Sequence, residues 1–202
     1  MTRSADYYRQ VAQLHIQNID QGFLSTLGIN FVSLMYRAID EVDSSVLLTK
    51  EVDGRVIGFI SGAEGMGAIY RRMLHYFPRL LLALFPVLAS PRKLRRIFEI
   101  LRYSRSSGAH SAADFSNVEL LSIAVGPSYR GTGYSSALYG ELKDYFARRG
   151  VAAFKIVVGE ELGPAHKFYR RMGAQPMSTI EVHEGEKSTV YVQCLGTVNR
   201  SS

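Results

Sequence analysis

Several kinds of structure and site are excluded by what this chain has little of. Its one cysteine, Cys194, leaves no internal disulfide and no cysteine-based zinc site. The five histidines have no metal-ligand spacing, so we expect no metal. Charged residues make up only 21% of the chain and apolar residues 47%, which excludes the disordered and fibrous classes. The 202 residues therefore predict a single globular domain over residues 1–202.

Long apolar runs and export signals are missing as well. The most apolar stretch, residues 80–91, lies between Arg79 and Arg92 and contains Pro86. It is shorter than the roughly 20 residues that a membrane-spanning helix requires. The N-terminal sequence MTRSADYYRQ lacks the apolar core of a signal peptide. A single thiol without an export signal is typical of a reducing cytoplasm, so we expect a cytoplasmic protein.

The positive charge is concentrated in one segment, residues 67–112. This segment holds nine Lys or Arg side chains and a single acid, Glu99, whereas the whole chain has a net charge of +6. Its pattern predicts two basic helices divided near residues 89–91, inserted at about residues 66–112. Two interpretations stay open: a hairpin that packs on its own domain or on the other subunit of a homodimer, and an element at an anionic membrane surface through residues 68–105. No basic-aromatic reader module is present, so we expect no nucleic-acid partner.

Outside that segment the pattern predicts a mixed α/β domain. Helical spacing covers residues 6–19, with Tyr7, Val11 and Leu14 on one face, and residues 30–39, with Phe31, Leu34 and Met35. Two strand-like runs, 45–50 and 55–61, flank an Asp-Gly pair that is typical of a hairpin turn. The C-terminal half then alternates strands and helices, over residues 117–125, 131–149, 151–158, 164–172, 175–182 and 188–194.

A glycine-rich junction follows the predicted strand that ends at Val125. The residues from Arg130 onward read RGTGYS and open a helix, whose unpaired N–H groups and positive dipole end would bind a phosphate. The string is neither a Walker loop nor a Rossmann fingerprint, whose third glycine would fall on Ser136. Two interpretations remain, a phosphate cradle and a tight turn whose glycines serve packing.

A second motif lies about thirty residues downstream, where Ala165, Phe168, Tyr169 and Gly173 are spaced A-x-x-F-Y-x-x-x-G. Together the two motifs resemble the GNAT family, the general-control-related N-acetyltransferases. The family pattern is a strand, then [Q/R]-x-x-G-x-[G/A] opening a helix, a further strand, and N-x-x-A-x-x-F-Y-x-x-x-G. The resemblance extends over residues 117–182. The chain departs from the pattern at Ser135, where the family has Gly or Ala, and at Leu162, where it often has Asn.

The resemblance implies a fold and a co-substrate. The fold would be a mostly antiparallel sheet in which the parallel strands 117–125 and 151–158 splay apart at a bulge, with the basic helical hairpin inserted. Acetyl-CoA would lie in the splay, its pantetheine arm on the first strand and its pyrophosphate on the glycine-rich loop. The implied cofactor-binding residues are Leu121, Ile123, Ala124, Val125, Arg130, Gly131, Thr132, Gly133, Tyr134, Ser135 and Phe168.

The resemblance also implies two proton transfers. Tyr169 would protonate the leaving CoA thiolate; the alternative is that it only packs beside Phe168. Glu119 is our candidate for the base that deprotonates the amine, although a solvated Glu119 and a water chain would also fit. His15 and Phe23 are candidates for the acceptor pocket, because the loop between the first two helices usually lines it in such families. For His15, a surface or fully hydrogen-bonded histidine is the competing interpretation.

These expectations combine into one functional hypothesis. The chain would be an acetyl-CoA-dependent N-acetyltransferase that acylates a primary amine of a small, anionic or carrier-linked substrate, such as an amino sugar, by direct transfer. Two alternatives stay open. One is an N-terminal or lysine acetyltransferase acting on proteins, and the other is a non-catalytic module with the same fold that binds a membrane surface or a partner.

Overall fold

Alternating helices and strands run through the computed structural model, which describes residues 3–19, 23–88, 117–183 and 186–196. The elements in chain order are α1 (Ala5–Asn18), a 3-10 helix (Phe23–Leu27), α2 (Ile29–Glu41), β1 (Ser45–Val52), β2 (Arg55–Glu64), α3 (Gly67–Leu74), α4 (Phe77–Leu88), β3 (Val118–Val125), a 3-10 turn (Pro127–Tyr129), α5 (Tyr134–Arg148), β4 (Ala153–Gly159), α6 (Gly163–Arg171), β5 (Gln175–His183) and β6 (Glu186–Cys194). Among the helices of these ranges, none has the length and apolar character that a membrane crossing requires.

The described strands form one six-stranded sheet in the order β1-β2-β3-β4-β6-β5. All neighbouring strands are antiparallel except β3 and β4, which are parallel. The predicted fold class, a mostly antiparallel sheet with one parallel pair, is therefore confirmed. The β1–β2 hairpin is also confirmed: Asp53 and Gly54 both have positive φ, 50° and 72°, which is the backbone that a two-residue hairpin turn requires.

Helices cover both faces of the sheet and enclose two apolar cores. One core lies between the sheet and helices α5 and α6, and the other between the sheet and helices α1, α2 and α3. The expected buried row of α1 is confirmed only at Val11, because Tyr7 and Leu14 are half-buried. The other buried side chains of α1 lie one position further along, at Tyr8, Ala12 and His15. In α2 the buried side chains are likewise Val32, Met35, Tyr36, Ala38 and Ile39, while Phe31 and Leu34 are half-buried. Each of these helices packs against both the sheet and the other helix. The side chains that face the two neighbours are buried, and they are not the most apolar row of the helix.

The basic segment begins with two short helices, α3 and α4, that are divided at His75 and Tyr76. Pro78 explains the division, since proline lacks an N–H and is accommodated in the first turn of a helix rather than in its interior. The break predicted near residues 89–91 and the rest of the segment, through residue 112, lie outside the described residues.

A carboxylate at the end of α2 fixes the start of this segment. Glu41 accepts hydrogen bonds from Tyr76, Arg37 and Arg72, and the Arg72 guanidinium lies 2.6 Å from its Oε2 atom. Burial raises the pKa of Glu41, but these three donors outweigh burial and lower that pKa to about 2. Arg72 is therefore held in an ion pair with α2, so this end of the basic segment packs on its own domain.

Candidate active site

The central opening of the molecule lies between β3 and β4. These strands pair only at Glu119 with Lys155 and at Leu120 with Ile156, and the ladder then stops. A bulge coincides with this point, because Ser61 of β2 pairs with Ser122 whereas Gly62 pairs with Leu120, which leaves Leu121 as the extra residue. The predicted splay is therefore present, and it opens toward the C-terminal ends of both strands.

Beyond Leu120, the edge of β3 that faces the splay pairs with none of the described strands. From Ser122 to Val125 the strand pairs with β2 on its other side, and no ladder joins this stretch to β4. Leu121, Ser122 and Ile123 are half-buried although they lie in a central strand, whereas Ala124 and Val125 are buried. An extended chain of amides fits such an edge as an added strand would. The predicted residues Leu121, Ile123, Ala124 and Val125 all lie along it.

The glycine-rich loop sits directly beyond β3, and its glycines serve backbone conformation. Gly131 and Gly133 have φ values of 79° and 92°, and a Cβ atom added to either would meet nothing within 4 Å. Among the described residues, packing therefore does not explain these glycines, whereas a tight turn does. The positive φ values are what the turn demands, since side chains other than glycine rarely adopt them.

The start of the helix after the loop offers backbone donors. Helix α5 begins at Tyr134, three residues later than predicted, and its first helical hydrogen bond runs from the Ala137 N–H to the Gly133 carbonyl, 3.0 Å. The N–H groups of Tyr134, Ser135 and Ser136 accordingly have no partner within the helix. The Thr132 hydroxyl donates to the Tyr129 carbonyl at 2.6 Å and closes the turn. This arrangement can bind an anion through backbone N–H groups.

Arg130 connects the loop to the end of α1. Its Nη2 atom donates to the Asn18 Oδ1 atom at 2.7 Å on the surface. The C-terminal half of α1 thus runs beside the end of β3, where Leu14 also lies against Gly126. Asn18 carries no sequence signal for this contact, because an asparagine near a helix end is equally typical of a simple cap.

Tyr169 is the buried residue of α6, and its predicted placement beside the buried stripe is wrong. Its side chain is 6% exposed, whereas Ala165, Phe168 and Met172 are only half-buried. It belongs to the same core as Leu120, at the base of the splay. Burial raises the pKa of the Tyr169 phenol, so the group stays protonated at neutral pH. Burial is the sole cause of this shift, and within the described residues the hydroxyl has no hydrogen-bond partner.

Glu119 lies on the opposite face of the sheet. Its neighbours Val118 and Leu120 enter the core beneath α5 and α6, so alternation along the strand directs Glu119 to the face of α1 and α2. Its Oε2 atom is 3.5 Å from the Nζ atom of Lys155 across the last rungs of the β3–β4 ladder. Burial raises the pKa of the Glu119 carboxyl and Lys155 opposes that shift. A carboxylate with a raised pKa suits a general base.

His15 forms a buried polar pair with Tyr36 beneath the bulge. The imidazole is 2% exposed, its Nδ1 atom lies 2.6 Å from the Tyr36 hydroxyl, and its Nε2 atom is buried without a partner among the described residues. His15 is therefore not a surface histidine, and among the described residues only its Nδ1 atom has a hydrogen-bond partner. Burial lowers its pKa to about 4, so it is neutral at pH 7. The Tyr36 hydroxyl lies beside Ser61 and Ser122, the residues that pair across β2 and β3 at the bulge.

The remaining predicted residues are placed as follows. Phe23 begins the 3-10 helix between α1 and α2. Leu162 precedes α6 and packs partly into the core without a side-chain cap hydrogen bond, so the amide that the family often has there is missing. Ser135 lies half-buried in the first turn of α5. Across the described ranges no cluster of three or more His, Cys, Asp or Glu side chains is placed to hold a metal ion.

Comparisons with known proteins agree with this geometry. No curated protein matches the sequence. Solved structures with a similar fold include an N-acetyltransferase from Staphylococcus aureus Mu50 (TM-score 0.60, 12% identity, 96% of each chain covered). They also include PaiA N-acetyltransferase from Thermoplasma acidophilum in complex with coenzyme A (0.55, 11%, 96% of each chain). A third is the ribosomal-protein-S18-alanine N-acetyltransferase from Escherichia coli (0.50, 14%, 96% of this chain and 92% of that one). The family model described as Acetyltransferase (GNAT) family matches residues 25–174, most of the sequence, and the chain therefore belongs to the GNAT acetyltransferase family.

Proposed function

We propose that this protein is an acetyl-CoA-dependent N-acetyltransferase that transfers the acetyl group directly to a primary amine. The observation that carries the proposal is the continuity of two features. Beyond Leu120 the edge of β3, unpaired among the described strands, leads through the 3-10 turn to the positive-φ glycines, and the first N–H groups of α5 have no partner within that helix. The first fits the amide-rich pantetheine arm and the second fits the pyrophosphate. GNAT proteins use acetyl-CoA, and one protein of similar fold is in complex with coenzyme A.

The arrangement separates the two proton transfers onto the two faces of the sheet. With the thioester in the splay, the amine nitrogen attacks the carbonyl carbon, the N–C bond forms and the C–S bond breaks. Before the attack the ammonium gives a proton to Glu119, directly or through water, on the face of α1 and α2. Tyr169, in the core on the other face, gives its proton to the departing thiolate. The attacking nitrogen loses its surplus proton to solvent as the amide forms, and solvent returns a proton to the Tyr169 phenol. Holding both reactants in one place supplies much of the acceleration.

In this proposal the amine acceptor approaches the splay from the face of the sheet that α1 and α2 cover. We place His15 and Phe23 beside it. The Nε2 atom of His15, buried and without a partner among the described residues, is a polar group there that a substrate can satisfy. A small amine that is anionic or carrier-linked, such as an amino sugar, suits the basic segment. Acetylation of protein N-termini or lysines and a non-catalytic module remain the alternatives.

We also propose a cytoplasmic enzyme that works at the inner face of the membrane. A homodimer stays a prediction, which light scattering after size-exclusion chromatography would check.

Calorimetric titration tests the cofactor half of the proposal. We expect micromolar binding of acetyl-CoA, with CoA that lacks its 3′-phosphate as the comparison ligand. Free-thiol release across a panel of amines then tests transfer and separates small amines from peptides. Absence of acetyl-CoA binding would remove the proposal, and binding without thiol release from any amine would favour the non-catalytic module.

The role of Glu119 makes a separate prediction on pH dependence. Glu119→Gln is expected to lower kcat by about 10²-fold at neutral pH, because the amide cannot accept the ammonium proton. In the wild type, kcat/KM should fall as the pH drops through the raised pKa of Glu119, where the carboxylate becomes protonated. The variant should lose that limb of the pH–rate profile.

Lys155 gives this prediction a second readout. It opposes the rise in the Glu119 pKa, so Lys155→Met should move the acid limb to higher pH. Glu51→Gln, an exposed carboxylate on β1, is the matched control and should leave the profile unchanged. A Glu119→Gln profile identical to that of the wild type would take Glu119 out of the mechanism.

A further inference from the structure

Exposed apolar side chains are concentrated on α3 and α4. Among the described residues, the large hydrophobic side chains classed as exposed are Tyr70, Leu74, Phe77, Leu82 and Met177, and all but Met177 lie on these two helices. Leu74, Phe77 and Leu82 are 61%, 54% and 76% exposed. Such a concentration of exposed apolar side chains on two consecutive helices is typical of an interaction site.

The charged side chains of the same two helices are all arginines. Residues 67–88 contain Arg71, Arg72 and Arg79 and no acidic residue. Arg72 is paired with Glu41, whereas Arg71 and Arg79 are exposed beside the apolar side chains. The positive charge continues along the sequence, because residues 89–112 hold six further Lys or Arg residues and one acid. A partner for this surface must therefore offer both apolar contact and negative charge.

A groove of about 510 Å³ extends this surface between α1, α2 and α4. Two arginines line it, Arg9 from α1 and Arg79 from α4, together with the apolar side chains of Leu34 and Leu82. Arg9 also donates to Asn30 at 3.3 Å. The acid in the groove is Asp6, whose carboxylate accepts a hydrogen bond from Gln10 at 2.8 Å. Guanidinium groups bind phosphate, and leucine side chains pack against acyl chains, so a groove with both fits a phospholipid.

We propose that α3, α4 and the adjoining groove dock on an anionic phospholipid bilayer. Leu74, Phe77 and Leu82 enter the boundary between headgroups and acyl chains, while Arg9, Arg71 and Arg79 contact lipid phosphates. A second copy of this surface is a poorer occupant, because Arg9, Arg71 and Arg79 outnumber Asp6, the one acid that lines the groove, and two such surfaces repel each other. Nucleic acid is poorer as well, since its phosphates give exposed Leu and Phe side chains nothing to pack against.

The docked orientation has a consequence for the site. The groove reaches Asn30 at the start of α2, three residues after the 3-10 helix Phe23–Leu27. Docking therefore places the loop between α1 and α2, on the proposed acceptor side, next to the membrane. Membrane binding itself does not depend on catalysis, so the two proposals can fail separately.

Vesicle co-sedimentation of the full chain tests this inference. We expect binding to vesicles of phosphatidylcholine with phosphatidylglycerol, no binding to phosphatidylcholine alone, and weaker binding at high salt. The triple variant Leu74→Ser, Phe77→Ser, Leu82→Ser should lose at least about tenfold in affinity, and Arg71→Gln with Arg79→Gln should also weaken binding. Matched controls are Met177→Ser for the apolar set and Arg55→Gln with Arg148→Gln for the charges. Thermal unfolding and acetyl-CoA titration report whether each variant folds.

Three outcomes would overturn the inference. The first is a wild-type protein that ignores the anionic vesicles. The second is a triple variant that folds and binds them as well as the Met177→Ser control does. The third is a dimeric wild type that becomes monomeric in the triple variant, which would make α3 and α4 a contact between subunits instead.

Discussion

Alanine in place of Gly133 is expected to weaken acetyl-CoA binding by about tenfold or more. Gly133 has a φ of 92°, a conformation that costs a non-glycine residue of the order of 1–3 kcal/mol, and about 1.4 kcal/mol corresponds to a factor of ten in affinity. The loop can relieve that strain only by turning its N–H groups away from the pyrophosphate. The added methyl group would also enter the open space in front of the loop, where the pyrophosphate is expected.

Calorimetric titration of Gly133→Ala with acetyl-CoA measures this effect. Gly140→Ala is the matched control, because Gly140 lies within α5, its φ is not positive, and a Cβ there meets nothing within 4 Å. In that position alanine should leave acetyl-CoA affinity unchanged and stabilise the helix slightly. If both variants bound acetyl-CoA as the wild type does, the glycine-rich loop would not be the pyrophosphate site.

Phenylalanine in place of Tyr169 is expected to lower kcat by about 10²-fold, the usual contribution of a positioned acid. The substitution removes only a hydroxyl, which makes no hydrogen bond to the described residues, so packing with Phe168, Tyr139 and Tyr191 is kept. Because burial holds the phenol in its protonated form, the proton is present when the thiolate leaves. The KM for acetyl-CoA should therefore change little.

The split between kcat and KM separates this role from a structural one. Tyr145→Phe on α5 removes a half-buried hydroxyl that donates to the Ser45 carbonyl at 3.3 Å, and it serves as the control. A fall in kcat for Tyr169→Phe with the thermal midpoint unchanged supports the acid. Equal kcat values for the two variants would leave Tyr169 as a packing residue.

Local signals in the sequence were sufficient for the individual strands, the hairpin turn and the loop, whereas the arrangement of the sheet was expected from the family resemblance. Asp53 and Gly54 predict the hairpin because few other residues adopt positive φ at both turn positions. Gly131 and Gly133 mark the loop after β3 for the same reason. Strands and helices of the C-terminal half are confirmed with shifts of one to three residues at their ends. Each of these features depends on residues adjacent in the chain.

Apolar periodicity was a weaker guide to which side chains are buried. In α6 the most apolar stripe runs through Ala165 and Met172, yet the buried residue is Tyr169, since the helix packs against both the sheet and the aromatic side chains of Tyr139 and Tyr191. The spacing of apolar residues identifies a helix. Which of its side chains are buried depends on the two surfaces that the helix contacts in the folded protein.

By itself, the sequence determined the order of the elements, the turn glycines and the family resemblance, because these depend on backbone preferences over a few residues. Only the tertiary structure decided that His15 meets Tyr36 beneath the bulge, that Glu119 and Tyr169 lie on opposite faces of the splay, and that Arg130 reaches Asn18. The partners in each case are separated by many residues along the chain. Their contact follows from strand register and helix packing, to which no local pattern of residues corresponds.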